Sequence, residues 1–140
     1  MTFIIRQTED LASCHLLRRI VFIEEQSVPE ADELDDLDGT SIHFLASQKD
    51  IPIGTARMQI NGDTAKIGRV CVLAAHRGTG LGAALMRAAV DEARQQDGVA
   101  FVKLSSQVSA IGFYEKLGFV AQGPVYDDAG IDHRDMVLPL

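Results

Sequence analysis

The sequence predicts a single α+β domain over residues 1–140, built around a mixed β-sheet. Strand-like and helical runs follow in the order β, α, β, β, β, α, β, α, β, β, and Asn61-Gly62 is a strong hairpin signal within the three consecutive strands. A strand, a glycine-rich turn, a helix and a further strand come next. Such a unit places its two strands in parallel through a right-handed crossover.

The first 40 residues predict a strand, a helix and an acidic loop. Residues 3–6 form a short β-like run. After Glu9 or Asp10, apolar residues recur at helical spacing as far as Pro29, which disfavours a helical residue before it. Residues 30–38 are rich in Asp and Glu, and a run of this kind is usually a solvated loop.

The middle of the chain predicts three antiparallel strands. They cover residues 42–47, 53–60 and 65–72, with one turn at 49–52 and the other at Asn61-Gly62. The remaining predicted elements are a helix at 80–96, a strand at 101–105, a short helix at 110–116, and a terminal hairpin of strands 119–126 and 135–138 around a loop at 127–134. We expect Val70 and Leu104 to lie on the parallel pair of strands.

The composition narrows the classes of function. Thirteen basic and twenty acidic side chains give a net charge of −7, which argues against nucleic acid or an anionic membrane as the main partner. No run approaches the ~20 apolar residues of a membrane span, and the N-terminus lacks a signal-peptide pattern. Cys14 and Cys71 show no metal-type spacing, so we expect reduced thiols, no metal, and a cytoplasmic location.

The turn before the second long helix is the strongest candidate for a binding site. Gly78, Gly80 and Gly82 allow a sharp turn and a close approach of a ligand to the main chain. The first amides of the helix have no intrahelical partner, and Arg77 adds a positive charge. These features predict a phosphate-binding site.

Two common phosphate loops fit this turn poorly. A Walker loop needs Lys followed by Ser or Thr, where Ala83 and Ala84 stand. A dinucleotide fingerprint matches Gly78, Gly80 and Ala83, but the next strand ends in Ser105 and not in an acidic residue. The chain beyond the turn is also too short for a dinucleotide-binding domain.

The spacing of Arg77, Gly80 and Gly82 after the strand residues 70–72 resembles the acetyl-CoA pyrophosphate motif of the GNAT superfamily of N-acetyltransferases. A second stretch resembles the same superfamily, with Gln107 standing where Asn is common. Its matching residues are Ala110, Tyr114, Lys116, Gly118 and Phe119.

The chain is also similar to the ElaA-like and YjcF-like subgroup of that superfamily. The matching residues are Val21, Phe22, Glu25, Gln26, Glu33, Asp35, Asp38, His43, Gly130, Ile131, His133 and Met136. Two departures are Ala74 and Asp132, which stand where proline is common.

The resemblance implies a mostly antiparallel mixed sheet of six or seven strands with one central parallel pair, flanked by about four helices. It also implies that acetyl-CoA is the acetyl donor and that a primary amine attacks it directly in a ternary complex. The implied acetyl-CoA-binding residues are Val70, Cys71, Val72, Arg77, Gly78, Thr79, Gly80, Leu81, Gly82, Gln107 and Tyr114.

Amide formation from a thioester needs a polarised carbonyl, a neutral amine, and a proton for the departing thiolate. The amide of Val72 is the candidate oxyanion donor, and Tyr114 is the candidate acid. The catalytic candidates are Tyr114, His133 and Glu25, and the substrate-binding candidates are Glu25, Glu33, His43 and His133. The base is open among Glu25, Glu33, His43 and His133. His133 is placed in the terminal loop, near the expected end of the acceptor channel, and Glu25 or Glu33 are the alternatives, acting through water.

In the subgroup, the acidic stretch 30–38 follows the helix that forms one wall of the acceptor site. A negative rim there would attract a cation, which predicts a small cationic amine as the acceptor. A non-catalytic acyl-CoA sensor and a protein N-terminal or lysine acetyltransferase are the alternatives. A terminal hairpin can pair within or between chains, so a homodimer is among the expected assemblies.

Overall fold

The computed structural model describes residues 2–140. The strands are β1 (Ile4–Thr8), β2 (Ile42–Gln48), β3 (Ile51–Asn61), β4 (Thr64–Val72), β5 (Phe101–Gln107), β6 (Val120–Asp128) and β7 (Ile131–Pro139). The α-helices are α1 (Leu11–Arg18), α2 (Glu30–Glu33), α3 (Leu81–Gln95) and α4 (Ile111–Glu115). The predicted α+β class is thereby confirmed, as are the six or seven strands and the roughly four helices that the resemblance implies.

All seven strands form one sheet in the order β1-β2-β3-β4-β5-β7-β6. Every neighbouring pair is antiparallel except β4 and β5, which are parallel and joined through α3. The prediction that Val70 and Leu104 lie on a parallel pair of strands is therefore confirmed. Leu104 is opposite Ile67, and Val70 lies beyond the paired residues.

The sheet buries a separate hydrophobic cluster on each of its two faces. One face packs on α3, whose buried side chains recur at helical spacing as Leu81, Leu85, Met86, Ala89, Val90 and Ala93. The other face packs on α1 and the helical turns after it, where Cys14 and Leu17 of α1 and the later Val21 meet Leu45 of β2 and Cys71 of β4. Both cysteines are free and buried in this second cluster.

The parallel strands diverge halfway along their length. Pairing between β4 and β5 covers Thr64–Ile67 and Phe101–Leu104, and it does not continue beyond these residues. The later residues of β4 still pair with β3, up to Val72 opposite Gly54. A wedge therefore opens between the carboxyl halves of β4 and β5, and their edges there carry backbone groups that no strand pairs.

A β-bulge marks the start of this wedge. The β3–β4 register shifts by one residue between Thr55, which is opposite Cys71, and Arg57, which is opposite Gly68. Arg69 sits in the bulge with a φ of 51°. The extra residue reverses which face later side chains occupy, so Ile67 packs toward α3 whereas Cys71 packs toward α1.

The first helix follows its predicted course but changes geometry. Asp10 caps α1 by accepting a hydrogen bond from the amide of Ser13 at 3.1 Å. Residues Arg19–Glu25 then continue the helix as a π-helix, in which the amide of Gln26 donates to the carbonyl of Val21 at 3.1 Å. Wider turns of this type often accompany functional sites.

Two predicted loops are wrong in extent. The acidic stretch is not wholly a loop, because it contains α2 and ends in a 3-10 turn at Asp38–Thr40. The terminal loop is only Ala129-Gly130, since β6 runs to Asp128 and β7 begins at Ile131. His133 consequently lies within β7, opposite Gln107 of β5 and Tyr126 of β6, and not in a loop.

Within residues 2–140, no helix combines the length and the apolar character that crossing a membrane requires.

Candidate active site

A cavity of about 400 Å³ opens over the wedge between β4 and β5. Of the residues that the sequence predicts for the site, those lining this cavity are Glu33, Val70, Cys71, Val72, Arg77, Gln107, Tyr114 and His133. Glu25, His43 and Gly78 to Gly82 do not line it. Arg77 of the first motif therefore meets Gln107, Ala110 and Tyr114 of the second motif in one cavity, although the two motifs are far apart in sequence.

The glycine turn has the open geometry of an anion cradle. Gly78 and Gly80 have φ values of 75° and 85°, and a Cβ at either position would meet nothing within 4 Å. Gly80 is the N-cap of α3, and no side chain caps the helix. The first amides of α3 are consequently available to a ligand, as a phosphate site requires.

Arg77 is held by the π-helical segment. Its two terminal nitrogens donate to the Glu25 carboxylate at 2.6 and 2.7 Å, and its Nε donates to the carbonyl of Val72 at 3.1 Å. The hydrogen bond from Arg77 lowers the pKa of Glu25. This bond occupies the Glu25 carboxylate and disfavours its protonation. The geometry therefore indicates that Glu25 holds Arg77 in place and is not positioned as a catalytic base.

The amide of Val72 is directed into the wedge. The next amide, that of Leu73, donates to the carbonyl of Ile53 in β3 at 3.0 Å. Successive residues of a strand turn their backbone groups to opposite edges, so Val72 presents its groups away from β3. The bond from Arg77 to the Val72 carbonyl agrees with this orientation. The Val72 amide can therefore donate to a thioester oxygen.

Tyr114 lines the cavity from α4. Its ring makes edge-to-face contacts with Phe113 and Phe119, with ring centroids 4.9 and 6.1 Å apart. Burial raises the pKa of Tyr114 to about 12. The hydroxyl is thus protonated at neutral pH, as a proton donor must be.

His133 has a defined tautomer when it is neutral. Its Nδ1 lies 2.7 Å from the carbonyl of Ile131, and a carbonyl can only accept a hydrogen bond. Nδ1 must therefore carry the proton, which leaves the lone pair on Nε2. The ring stacks on Tyr126, whose hydroxyl donates to Asp135 at 2.6 Å and is also hydrogen-bonded to Ser105.

Gln107 is oriented by the residue that follows Glu25. Its side-chain nitrogen donates to Oε1 of Gln26 at 2.9 Å, which leaves the Gln107 carbonyl oxygen as an acceptor. Glu25 and Gln26 therefore fasten the end of the π-helix to both sides of the wedge. Arg77 is the attachment on the β4 side, and Gln107 is the attachment on the β5 side.

Asp35 and Asp38 of the acidic stretch do not contribute to the negative rim that the sequence predicts, whereas Asp32 of the same stretch lines the cavity. Asp38 is bonded by Arg18 at 2.9–3.0 Å and by Arg57 at 3.1 Å, while Asp35 is bonded by Arg57 at 2.8 and 2.9 Å. Arg18 and Arg57 are buried, with exposures of 1% and 7%. These carboxylates fasten the stretch to α1 and β3, so little of their charge is offered to a ligand.

The two remaining acceptor candidates differ in their surroundings. His43 is buried, and its Nε2 lies 2.9 Å from the carbonyl of Asp38, so it braces the acidic stretch. Glu33 is also buried, at 6% exposure, yet it lines the cavity. Burial raises the pKa of Glu33, and the nearby charges of Arg18 and Arg69 oppose this rise.

Eight polar residues that line the cavity are absent from the site predicted from the sequence, and they are Gln26, Asp32, Arg57, Gln59, Lys66, Arg69, Ser105 and Asp128. Gln26 stands in the matched subgroup phrase, which was a usable signal. Lys66 and Arg69 belong to β4, which the sequence predicts only as the third strand of an ordinary antiparallel meander. Only the bulge turns Arg69 toward the cavity, and the sequence carries no local sign of it.

Comparison with known proteins places this geometry in one family. Residues 19–140 match the family described as "Acetyltransferase (GNAT) domain". The chain is 33% identical over 135 residues to the uncharacterised N-acetyltransferase YjcF of Bacillus subtilis (strain 168), covering 96% of each chain.

Two crystal structures share the fold over nearly the whole chain. Escherichia coli ElaA superposes with a TM-score of 0.87 at 27% identity, covering 97% of this chain and 99% of ElaA. An acyl-CoA N-acyltransferase from Pseudomonas aeruginosa superposes with a TM-score of 0.84 at 31% identity, covering 97% of each chain.

Proposed function

Because the chain belongs to the GNAT acetyltransferase family, we propose that it transfers the acetyl group of acetyl-CoA to a primary amine of a small acceptor. One observation carries the proposal. The wedge between β4 and β5 opens into a single cavity lined by Val72, Arg77, Tyr114 and His133. These residues supply the groups that thioester aminolysis needs.

The donor would lie along the unpaired edge of β4. Its pyrophosphate would bind the first amides of α3 beside Gly78 and Gly80, where a Cβ-free turn leaves open space. The pantetheine arm would pair with the backbone of Val70–Val72, and one of its amides would donate a hydrogen bond to the side-chain carbonyl oxygen of Gln107. This arrangement would place the thioester carbonyl near the amide of Val72.

In the reaction, the neutral amine nitrogen attacks the thioester carbonyl carbon, forming a C–N bond. The Val72 amide stabilises the oxyanion, as a backbone donor worth about 3 kcal/mol can. The C–S bond then breaks, and Tyr114 donates a proton to the departing sulfur. His133 prepares this amine by taking one proton from its ammonium form through Nε2, the nitrogen that its tautomer leaves unprotonated. The second proton, which the nitrogen loses as the amide forms, returns to Tyr114.

The alternative functions are separated by one screen. Purified protein is incubated with acetyl-CoA and a panel of amines, aminosugars and peptides, and both free CoA thiol and N-acetylated product are measured. Thiol release coupled to acetylation of a small amine supports the proposal. Acetyl-CoA binding without turnover indicates a sensor, and acetylation of peptides alone indicates a protein acetyltransferase.

A further inference from the structure

Glu33 and Arg69 face each other in the cavity, and each is short of hydrogen-bond partners. Neither side-chain oxygen of Glu33 has a hydrogen-bond partner among residues 2–140, and its Oε1 is buried. The nearest cationic nitrogens, Nε of Arg69 and Nε of Arg18, lie 3.8 and 4.0 Å from Oε1. Both distances are too long for a hydrogen bond.

Arg69 is fastened along one edge only. Its Nη2 donates to the carbonyl of Glu33 at 2.9 Å and to Asp35 at 3.2 Å, whereas its buried Nε has no hydrogen-bond partner. Asp35 is itself engaged by Arg57 through two bonds. Arg69 and Glu33 form an ion pair at 3.8 Å but no hydrogen bond. Buried polar groups in folded proteins are normally hydrogen-bonded, so a buried carboxylate and a buried guanidinium edge that both lack hydrogen bonds call for an explanation.

The backbone around Arg69 is shaped toward the cavity. A positive φ is uncommon for an arginine and persists where the surrounding structure holds it. The preceding Gly68 lines the same cavity, and a Cβ there would meet nothing within 4 Å, so its missing side chain leaves space. Lys66, two residues before Gly68, also lines the cavity and forms no ion pair within residues 2–140.

We propose that the acceptor is an amino acid, whose ammonium group is bound by Glu33 and whose carboxylate is bound by Arg69 and Lys66. This inference rests on the proposed acetyl transfer and names its acceptor class. A simple cation would satisfy Glu33 alone, and a simple anion would satisfy only Arg69 and Lys66. A molecule with both groups satisfies all three, and it replaces the purely cationic acceptor that the sequence predicts.

The size of the cavity agrees with a small acceptor. Its volume of about 400 Å³ must also receive the acetyl end of the donor. Pockets for small molecules begin at about 300 Å³, so the remaining space suits a single amino acid better than a folded polypeptide segment.

The test compares each amino acid with the amine that lacks its carboxylate, such as ornithine with putrescine and histidine with histamine. Initial rates of acetylation give kcat/KM for each member of a pair. We expect kcat/KM to be at least about tenfold higher for the amino acids, because hydrogen bonds to charged groups contribute at this level. Equal values, or higher values for the amines, would overturn the inference and leave the acetyltransferase function standing.

Two variants test whether Lys66 and Arg69 cause the preference for amino acids over amines. Lys66→Met removes an exposed cation and is expected to reduce the amino-acid preference severalfold, while Arg69→Gln should reduce it further. Arg87→Met removes an exposed cation of α3 away from the cavity and serves as the matched control. An unchanged preference in Lys66→Met and in a folded Arg69→Gln protein would contradict the assignment.

If no compound in either series is acetylated, a binding measurement tests the inference instead. The CoA-bound protein is titrated calorimetrically with an N-acetyl amino acid and with the matching N-acetyl amine. Tighter binding of the carboxylate-bearing product supports the inference, and equal binding overturns it. A failure to bind acetyl-CoA in the same instrument would instead contradict the proposed function.

Discussion

The carboxylate of Glu25 accepts both terminal N–H groups of Arg77, at 2.6 and 2.7 Å, and so covers the cationic edge that a pyrophosphate would use. We expect Glu25→Gln to strengthen acetyl-CoA binding by about threefold to fivefold, since an exposed ion pair is worth up to about 1 kcal/mol. Isothermal titration calorimetry measures the change. If Glu25 were instead the catalytic base, this variant would lower kcat sharply.

Arg77→Glu is the opposite change and is expected to weaken acetyl-CoA binding at least about tenfold, because it replaces a phosphate-binding cation by an anion. The same titration measures it. Arg87→Glu, on the exposed face of α3, makes the same charge change away from the turn. Equal affinities for the two variants would contradict the pyrophosphate assignment.

Tyr114→Phe keeps the ring that packs on Phe113 and Phe119 and removes only the hydroxyl. We expect kcat to fall about 100-fold, the usual contribution of a general acid, with the KM for acetyl-CoA nearly unchanged. Steady-state kinetics with a saturating acceptor gives both constants. A kcat close to that of the wild type would remove Tyr114 from the mechanism.

The pH dependence of the wild-type enzyme provides a second check on Tyr114. Burial raises the pKa of Tyr114 to about 12, so the hydroxyl keeps its proton as the pH rises through 10. We therefore expect that ionisation of Tyr114 does not lower the kcat of the wild type between pH 8 and about pH 10. The kcat profiles of the wild type and Tyr114→Phe should consequently have the same shape in this range. The kcat profiles of the two proteins, measured side by side, test this expectation.

His133→Gln should lower kcat/KM most strongly near neutral pH, where the acceptor amine is protonated and needs a base. The deficit should shrink as the pH approaches the amine's own pKa of about 10, because the amine then loses its proton to solvent. A profile of kcat/KM against pH measures this trend. A deficit that stays constant at every pH would indicate a structural role for His133.

Asp38→Asn should destabilise the fold by about 3 kcal/mol at pH 7, because it removes the only carboxylate among residues 2–140 that accepts hydrogen bonds from buried Arg18. Burial alone would raise the pKa of Asp38, but hydrogen bonds from Arg18, His15 and Arg57 hold it well below its usual range. A lowered pKa gives stability that is fully present above the unfolded value of about 3.9 and is lost as the pH falls toward the folded value.

The free-energy difference between Asp38→Asn and the wild type should therefore persist from neutral pH down to about 4 and shrink below it. Chemical denaturation at several pH values measures this difference. Asp36→Asn, an exposed neighbour in the same acidic stretch, is the matched control and should change little. Equal stabilities of the two variants at pH 7 would mean that the Asp38 ion pairs contribute nothing.

The parts of the fold that sequence analysis predicted correctly are specified by nearby residues. The turn before α3 is an example, since its glycines and Arg77 lie within six residues of one another. The arginine–carboxylate cluster could not be predicted in this way. Arg18 and Asp38 are 20 residues apart, and Arg57 and Asp35 are 22 apart, so their pairing depends on how the acidic stretch packs against α1 and β3.

The terminal hairpin shows a different limit. Ala129 and Gly130 both have positive φ, at 54° and 81°, as a two-residue hairpin turn requires. The usual signal for this turn is Asn or Asp before Gly, and Ala in the first position conceals it. The sequence therefore predicts too long a loop and places His133 outside β7, the strand that carries it.

The single extra residue of β4 has a consequence for changes in chain length. Before the bulge, β4 pairs with β5 and completes the sheet. After the bulge, the edge of β4 that faces β5 is unpaired and open to a donor substrate, and each side chain lies on the opposite face from the one it would occupy without the extra residue. Deleting one residue between Gly68 and Val72 would move Cys71 from one hydrophobic cluster to the other. The two-residue turn at Lys49-Asp50 carries no such constraint, so insertions should be tolerated there and selected against at the bulge.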